Sequence, residues 1–210
     1  MANPGANADI RYGLRPVKHQ HGAPYNGEAN LYYVPAGYAT ALFIGDPVVK
    51  TGTSNTAKVV TGAGEYAAGT LPEINKAGAG DDNATTGVIV GFLPKPNDLE
   101  TVHSKASTED VAVVADDPML IFHIRDDGAS ALAATSVGLN AVYIYTHAGD
   151  AATGISGVEL DTASDAPAAD ASNQLTILRL ASMEGNEIAA RAQWEVRINN
   201  HTEAHGTLGI

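Results

Sequence analysis

Apolar residues fall on alternate positions in several short runs of the chain. Trp194, Val196 and Ile198 alternate with Gln193, Glu195, Arg197 and Asn199, the period of two of a half-buried strand. Leu120, Phe122 and Ile124 alternate with Ile121, His123 and Arg125. Val142 and Ile144 alternate with Tyr143 and Tyr145, which predicts a strand covered on both faces. Shorter strands are predicted at 38–44, 47–51, 57–60, 87–93, 110–115 and 174–182. Turn clusters separate them, among them Gly45-Asp46-Pro47, Gly52-Thr53-Ser54-Asn55, Gly62-Ala63-Gly64 and Ala148-Gly149-Asp150; Gly, Pro, Asn and Asp punctuate strands in this way.

Helical signal is confined to 129–136, an Ala-rich stretch behind Asp126-Asp127-Gly128, enough for one or two turns. Residues 161–173 are rich in Ala, Asp and Ser and interrupted by Pro167; they read as a long exposed loop. Many short strands with Gly-rich turns predict an all-β fold, a compact β-barrel or β-sandwich with at most one or two short helices. Before Leu31 no period is visible, and the stretch is rich in Asn, Gly, Pro and Tyr. It reads as an extended N-terminal arm, so the chain divides into an arm at 1–30 and a single β-rich domain at 31–210.

Charge sharpens that division. The formal net charge is −12. Residues 1–40 nevertheless hold Arg11, Arg15 and Lys18 against Asp9 and Glu28, leaving 9 of the 12 basic and 22 of the 24 acidic residues to the remainder. An acidic body argues against non-specific binding to nucleic acid or to an anionic membrane. A chain of 210 residues buries about 70% of its extended surface, enough for a core without staples. There is no Cys, so disulfides, thiolate zinc sites and cysteine nucleophiles are excluded. No apolar run is long enough for a transmembrane helix, and the first residues lack the apolar stretch of a secretory signal; a soluble protein kept in a cytoplasm is the expectation.

The search for chemistry returns little. His19 and His21 form an H-x-H pair and His201 and His205 an H-x-x-x-H pair. Gly206 and Asn199-Asn200 argue against a helix at the second pair, and no Glu directly follows His201, so it is not the zinc-protease pattern. Surface or interface histidines are the better reading. The pairs Asp81-Asp82, Asp116-Asp117 and Asp126-Asp127 lack the alternating oxygens of a calcium loop and read as solvated turns. There is no G-x-S-x-G elbow, and the Gly-x-Gly pieces at 62–64 and 78–80 lack a P-loop lysine. No catalytic residue, metal ligand or cofactor is nominated, and a non-enzymatic protein is expected.

Several segments together resemble the head decoration (cement) proteins of tailed bacteriophages. They are Tyr12-Gly13-Leu14-Arg15-Pro16-Val17-Lys18-His19, Gly22-Ala23-Pro24-Tyr25-Asn26-Gly27, Leu31-Tyr32-Tyr33-Val34-Pro35, and Ala39-Thr40-Ala41-Leu42-Phe43-Ile44-Gly45-Asp46-Pro47-Val48. Gly87-Val88-Ile89-Val90-Gly91-Phe92, Thr153-Gly154-Ile155-Ser156-Gly157-Val158-Glu159-Leu160-Asp161 and Val196-Arg197-Ile198-Asn199-Asn200-His201 continue the likeness. The stretches 76–86 and 162–173 look like variable insertions.

The resemblance implies a non-catalytic protein on the outer capsid surface of the virion, present in the host cytoplasm during assembly. It would be added after shell expansion at capsomer boundaries, bind the major capsid protein, and act as a homotrimer or a dimer. Arg11, Arg15 and Lys18 would face acidic shell residues, with Pro16, Tyr25, Tyr32 and Tyr33 as anchors, Tyr and Arg being favoured at interface hot spots. Deleting residues 1–30 should then abolish shell binding and leave the body folded. The rival reading is a receptor- or carbohydrate-binding β module of a head fibre or tail, which would need exposed aromatic platforms; Trp194 is the only Trp, and its alternation places it inside.

Overall fold

The computed structural model describes residue 7 and residues 9–204. Among them the chain is nearly all β, and its helix is a single 3-10 turn at Ala134–Ser136. Two sheets carry the fold. The first is five-stranded and wholly antiparallel, in the order β1 (Arg15–His19), β9 (Leu120–Arg125), β14 (Gln193–Ile198), β13 (Leu175–Leu180), β10 (Asn140–Ala141). The second closes into a five-stranded barrel of β2 (Asn30–Val34), β6 (Pro72–Lys76), β3 (Pro47–Ser54), β7 (Gly87–Phe92) and β8 (Asp110–Ala115), with β2 and β6 as its parallel pair. The hairpin β4 (Val59–Thr61) and β5 (Gly64–Tyr66), and the pair β11 (Tyr143–Ile144) and β12 (Glu159–Leu160), stand beside them.

Alternation feeds the two larger of three hydrophobic clusters among the described residues. Barrel positions Tyr32, Val34, Val48, Ile74, Ile89, Ala112 and Val114 fill the barrel interior with Leu42. Their neighbours Val88 and Ala115 point the other way, onto the five-stranded sheet, where Phe122, Ile124, Trp194, Val196, Leu175 and Ile177 meet them. Successive residues of β7 thus serve different cores, as a pleat requires. Closure removes the barrel's free edges.

The predicted strands at 87–93, 110–115, 120–125, 174–182 and 193–199 are β7, β8, β9, β13 and β14. Four features differ from expectation. The polar face of β14 is also buried, because Glu195 lies under Lys18 and Arg179 at 2.9 and 2.6 Å. The 140–145 run is covered on both faces but splits into β10 and β11, which pair with different partners. The 38–44 run is not a ladder strand; Leu42 and Ile44 make single bridges to Ser104 and Ile155.

The fourth difference is part of the expected arm. Residues 15–19 form β1, pairing with β9 from Arg15 opposite His123 to His19 opposite Leu120. The chain then turns at Gly22, and the Tyr25 amide donates back to the Val17 carbonyl at 3.1 Å. Leu14, just before β1, is buried in the main core. Edge position explains Pro16, which has no amide to give, and the single apolar residue of β1, Val17, explains why no period showed. The start of the arm, residues 1–6 and 8, lies outside the described residues.

Candidate functional site

Four chain segments converge where the five-stranded sheet meets the barrel. The Leu14 amide donates to the Gly45 carbonyl, the Gly45 amide to Ile89, and the Ser156 amide to Ile44. At their centre is the fully buried Asp46. One carboxylate oxygen accepts from the Phe43 amide; the other takes the Ser156 hydroxyl and the Lys76 ammonium at 3.0 Å. The Gly45-Asp46-Pro47 turn therefore does more than open β3. It ties Leu14 to β7 and to the loop at 150–156.

Over this junction runs a groove of about 470 Å³. Its bed is apolar: Leu14, Ile44, Ile89 and Ile155. Its walls are Tyr12, Arg15, Pro16 and Tyr25. The Arg15 guanidinium stacks on the Tyr12 ring at 4.1 Å and its Nε donates to the Tyr12 carbonyl at 3.2 Å. The Tyr25 hydroxyl is buried and has no hydrogen-bond partner among the described residues. Thr153 and Ile155 also line a second groove, of about 520 Å³, with Asp9, Ile10, Arg11, His147 and Asp150. Arg11 stands on its wall, exposed, its Nε donating to the Ala148 carbonyl at 2.8 Å.

Arg11, Arg15, Pro16 and Tyr25 thus line these two adjoining grooves, and Lys18, Tyr32 and Tyr33 do not. Lys18 is engaged inside the chain by Glu195. Burial acts to raise the Glu195 carboxyl, but hydrogen bonds from Lys18 and Arg179 outweigh it and hold the group below its ordinary value. Tyr32 is buried in the barrel, its hydroxyl donating to Asp116 at 2.6 Å. Tyr33 donates to Glu109 at 2.9 Å, and burial with that contact pushes its hydroxyl up to about 12. Lys18 and Tyr32, expected to meet a partner, instead hold the fold together.

Of the histidines read from the sequence as surface or interface residues, His19 and His201 are buried. His19 is buried between Asp117 and Glu28 at 3.0 and 2.9 Å and stacks on His21. His201 is buried and accepts from the Glu203 amide; His205 lies outside the described residues. Asp126-Asp127 is not a solvated turn. Asp126 is fully buried and accepts four hydrogen bonds, from Gly128, Arg191, Ala192 and the Trp194 indole. Sequence reading missed a third histidine. His147 Nε2 lies 3.8 Å from Asp9 and 3.7 Å from Glu159. Residues so far apart in the chain leave no spacing signal.

No protein-family model, curated protein or solved structure matches this chain. Among the described residues no helix is long and apolar enough to cross a membrane.

Proposed function

We propose that the chain is a non-catalytic decoration protein of a bacteriophage head. It binds the major capsid protein on the outer surface of the expanded shell, at capsomer boundaries, and braces the shell against the pressure of packaged DNA. The observation that carries the reading is the clustering of Arg15, Pro16 and Tyr25 around one apolar groove, with Arg11 on the adjoining one. Arg15 and Pro16 lie in the first of the segments that resemble such proteins, Arg11 directly precedes it, and Tyr25 lies in the second.

The chemistry suits a protein partner. Ile44 and Ile155 offer an apolar bed, and two exposed guanidiniums flank it on an otherwise acidic molecule. Such an arrangement fixes orientation by charge and gains affinity from burying a few anchors. A homotrimer or dimer seated on several capsomers adds avidity without new contacts. Trp194, the single Trp, is fully buried and offers no stacking platform to a receptor or carbohydrate.

Deletion of residues 1–30 is no longer a clean test, since it removes Leu14 from the core and β1 from its sheet. Charge reversal is cleaner. Arg11→Glu with Arg15→Glu should abolish co-sedimentation with expanded capsids while the unfolding midpoint stays near that of the parent. Undiminished binding would refute the role of this face.

A further inference from the structure

We propose that Asp9, His147 and Glu159 form a binding site for one divalent first-row transition-metal ion, with Zn²⁺ as the reference case, on the wall of the groove beside Arg11. One donor atom from each, His147 Nε2 and a carboxylate oxygen of Asp9 and of Glu159, lies within 4.8 Å of the others. Around a tetrahedral zinc, ligand atoms stand about 3.4 Å apart. The two histidine distances, 3.7 and 3.8 Å, need only a slight contraction to reach this. Asp9 and His147 line the groove of about 520 Å³, which has room for water at the remaining positions, and Glu159 stands behind them.

The carboxylates are already divided between two tasks. Arg191 takes one oxygen of each, through NH1 to Glu159 Oε1 at 2.8 Å and NH2 to Asp9 Oδ2 at 3.3 Å. Asp9 Oδ1 and Glu159 Oε2 are left facing His147 Nε2. Outer partners that grip the distal oxygens of ligating carboxylates orient the proximal ones. The Thr146 hydroxyl also donates to Glu159 Oε2.

The scaffold is firm on two of its three sides. Glu159 lies in β12, its side chain only 4% exposed, and pairs with Ile144 of β11. His147 follows β11 closely. Asp9 comes from the segment leading to β1, where Asn7 is bonded to the Glu187 and Ala190 carbonyls. A bound ion would fasten that segment to β11 and β12. One imidazole with two carboxylates suits zinc and its neighbours, whereas calcium and magnesium prefer sites built wholly of oxygen.

The test uses the full chain stripped with EDTA, titrated with ZnCl₂ by calorimetry and followed by thermal unfolding, with CaCl₂ in parallel. Binding of one Zn²⁺ per chain is expected, together with a rise in Tm that CaCl₂ does not reproduce. Co²⁺ should give the visible absorption of a low-coordinate site. His147→Ala and Asp9→Asn should each weaken Zn²⁺ at least tenfold and remove the Co²⁺ band. Both side chains are substantially exposed, so the two variants check each other's folding. Absence of Zn²⁺ binding, equal binding by parent and His147→Ala, or an equal Tm rise from CaCl₂ would each overturn the proposal. No capsid is involved, so the result is independent of the decoration role.

Discussion

Gly13 and Gly45 lie back to back, so that a Cβ on either would sit 3.0 Å from the Cα of the other. Both have positive φ, 71° and 94°. This contact lets the first segment of the chain pass close enough to the barrel mouth for the Leu14 amide to reach the Gly45 carbonyl, and so sets the bed of the groove.

Gly45→Ala should cost about 2–4 kcal/mol, from a left-handed backbone combined with overpacking. Gly22→Ala is the control: φ is 96° with nothing within 4 Å of the added carbon, so only the backbone penalty of about 1–2 kcal/mol applies. Urea unfolding of the two variants measures the difference, and equal losses would show that the close approach is unimportant.

Asp126 holds the turn after β9 to the start of β14 through four donors divided between its two oxygens. Asp126→Asn replaces one oxygen with an amide NH2 facing two of those donors. A loss of about 2–4 kcal/mol follows from the buried unmet donors. Near-UV circular dichroism of Trp194, whose indole is one of the four, should change in the same variant.

Lys18 should behave as part of the fold and Arg15 as part of a surface. Lys18→Met leaves the buried Glu195 with Arg179 and His123, and should lower stability by about 1 kcal/mol once screening at the partly exposed ammonium is allowed for. The depressed Glu195 carboxyl gives that contribution at neutral pH, and it is lost as acid titrates the group below its ordinary 4.5. Arg15→Glu should leave the urea midpoint unchanged.

Acid should weaken the protein well before its carboxylates titrate. Burial is the main cause that lowers the pKa of His103, His123 and His201 below the ordinary 6.5. The unfolded chain therefore binds more protons than the folded one below that value, and stability falls as pH falls. Tm should decline from about pH 7 to about pH 5.5, less steeply in His201→Gln. A Tm that is flat or rising across this window would contradict the assignment.

The body was legible where alternation is strong. β9 and β14 carry apolar residues at every second place, and the pattern survives although the polar face of β14 is also covered. β6 and β1 were not legible, because Pro72–Lys76 has one buried apolar residue, Ile74, and Arg15–His19 rests on its ladder with β9. The 38–44 run misled because Leu42 and Phe43 are buried without joining a ladder. The site was half legible: Arg15, Pro16 and Tyr25 drew notice by type. Nothing in the sequence said that Lys18 would turn inward to Glu195, or that Asp9 would meet His147 and Glu159.

The most direct test of the proposed decoration role is co-sedimentation of the purified chain with expanded and unexpanded capsids of tailed phages, with the Arg11→Glu, Arg15→Glu variant alongside. Saturable binding of the parent to expanded shells only, lost in the variant, is the predicted result. Absence of binding to either shell would contradict the account.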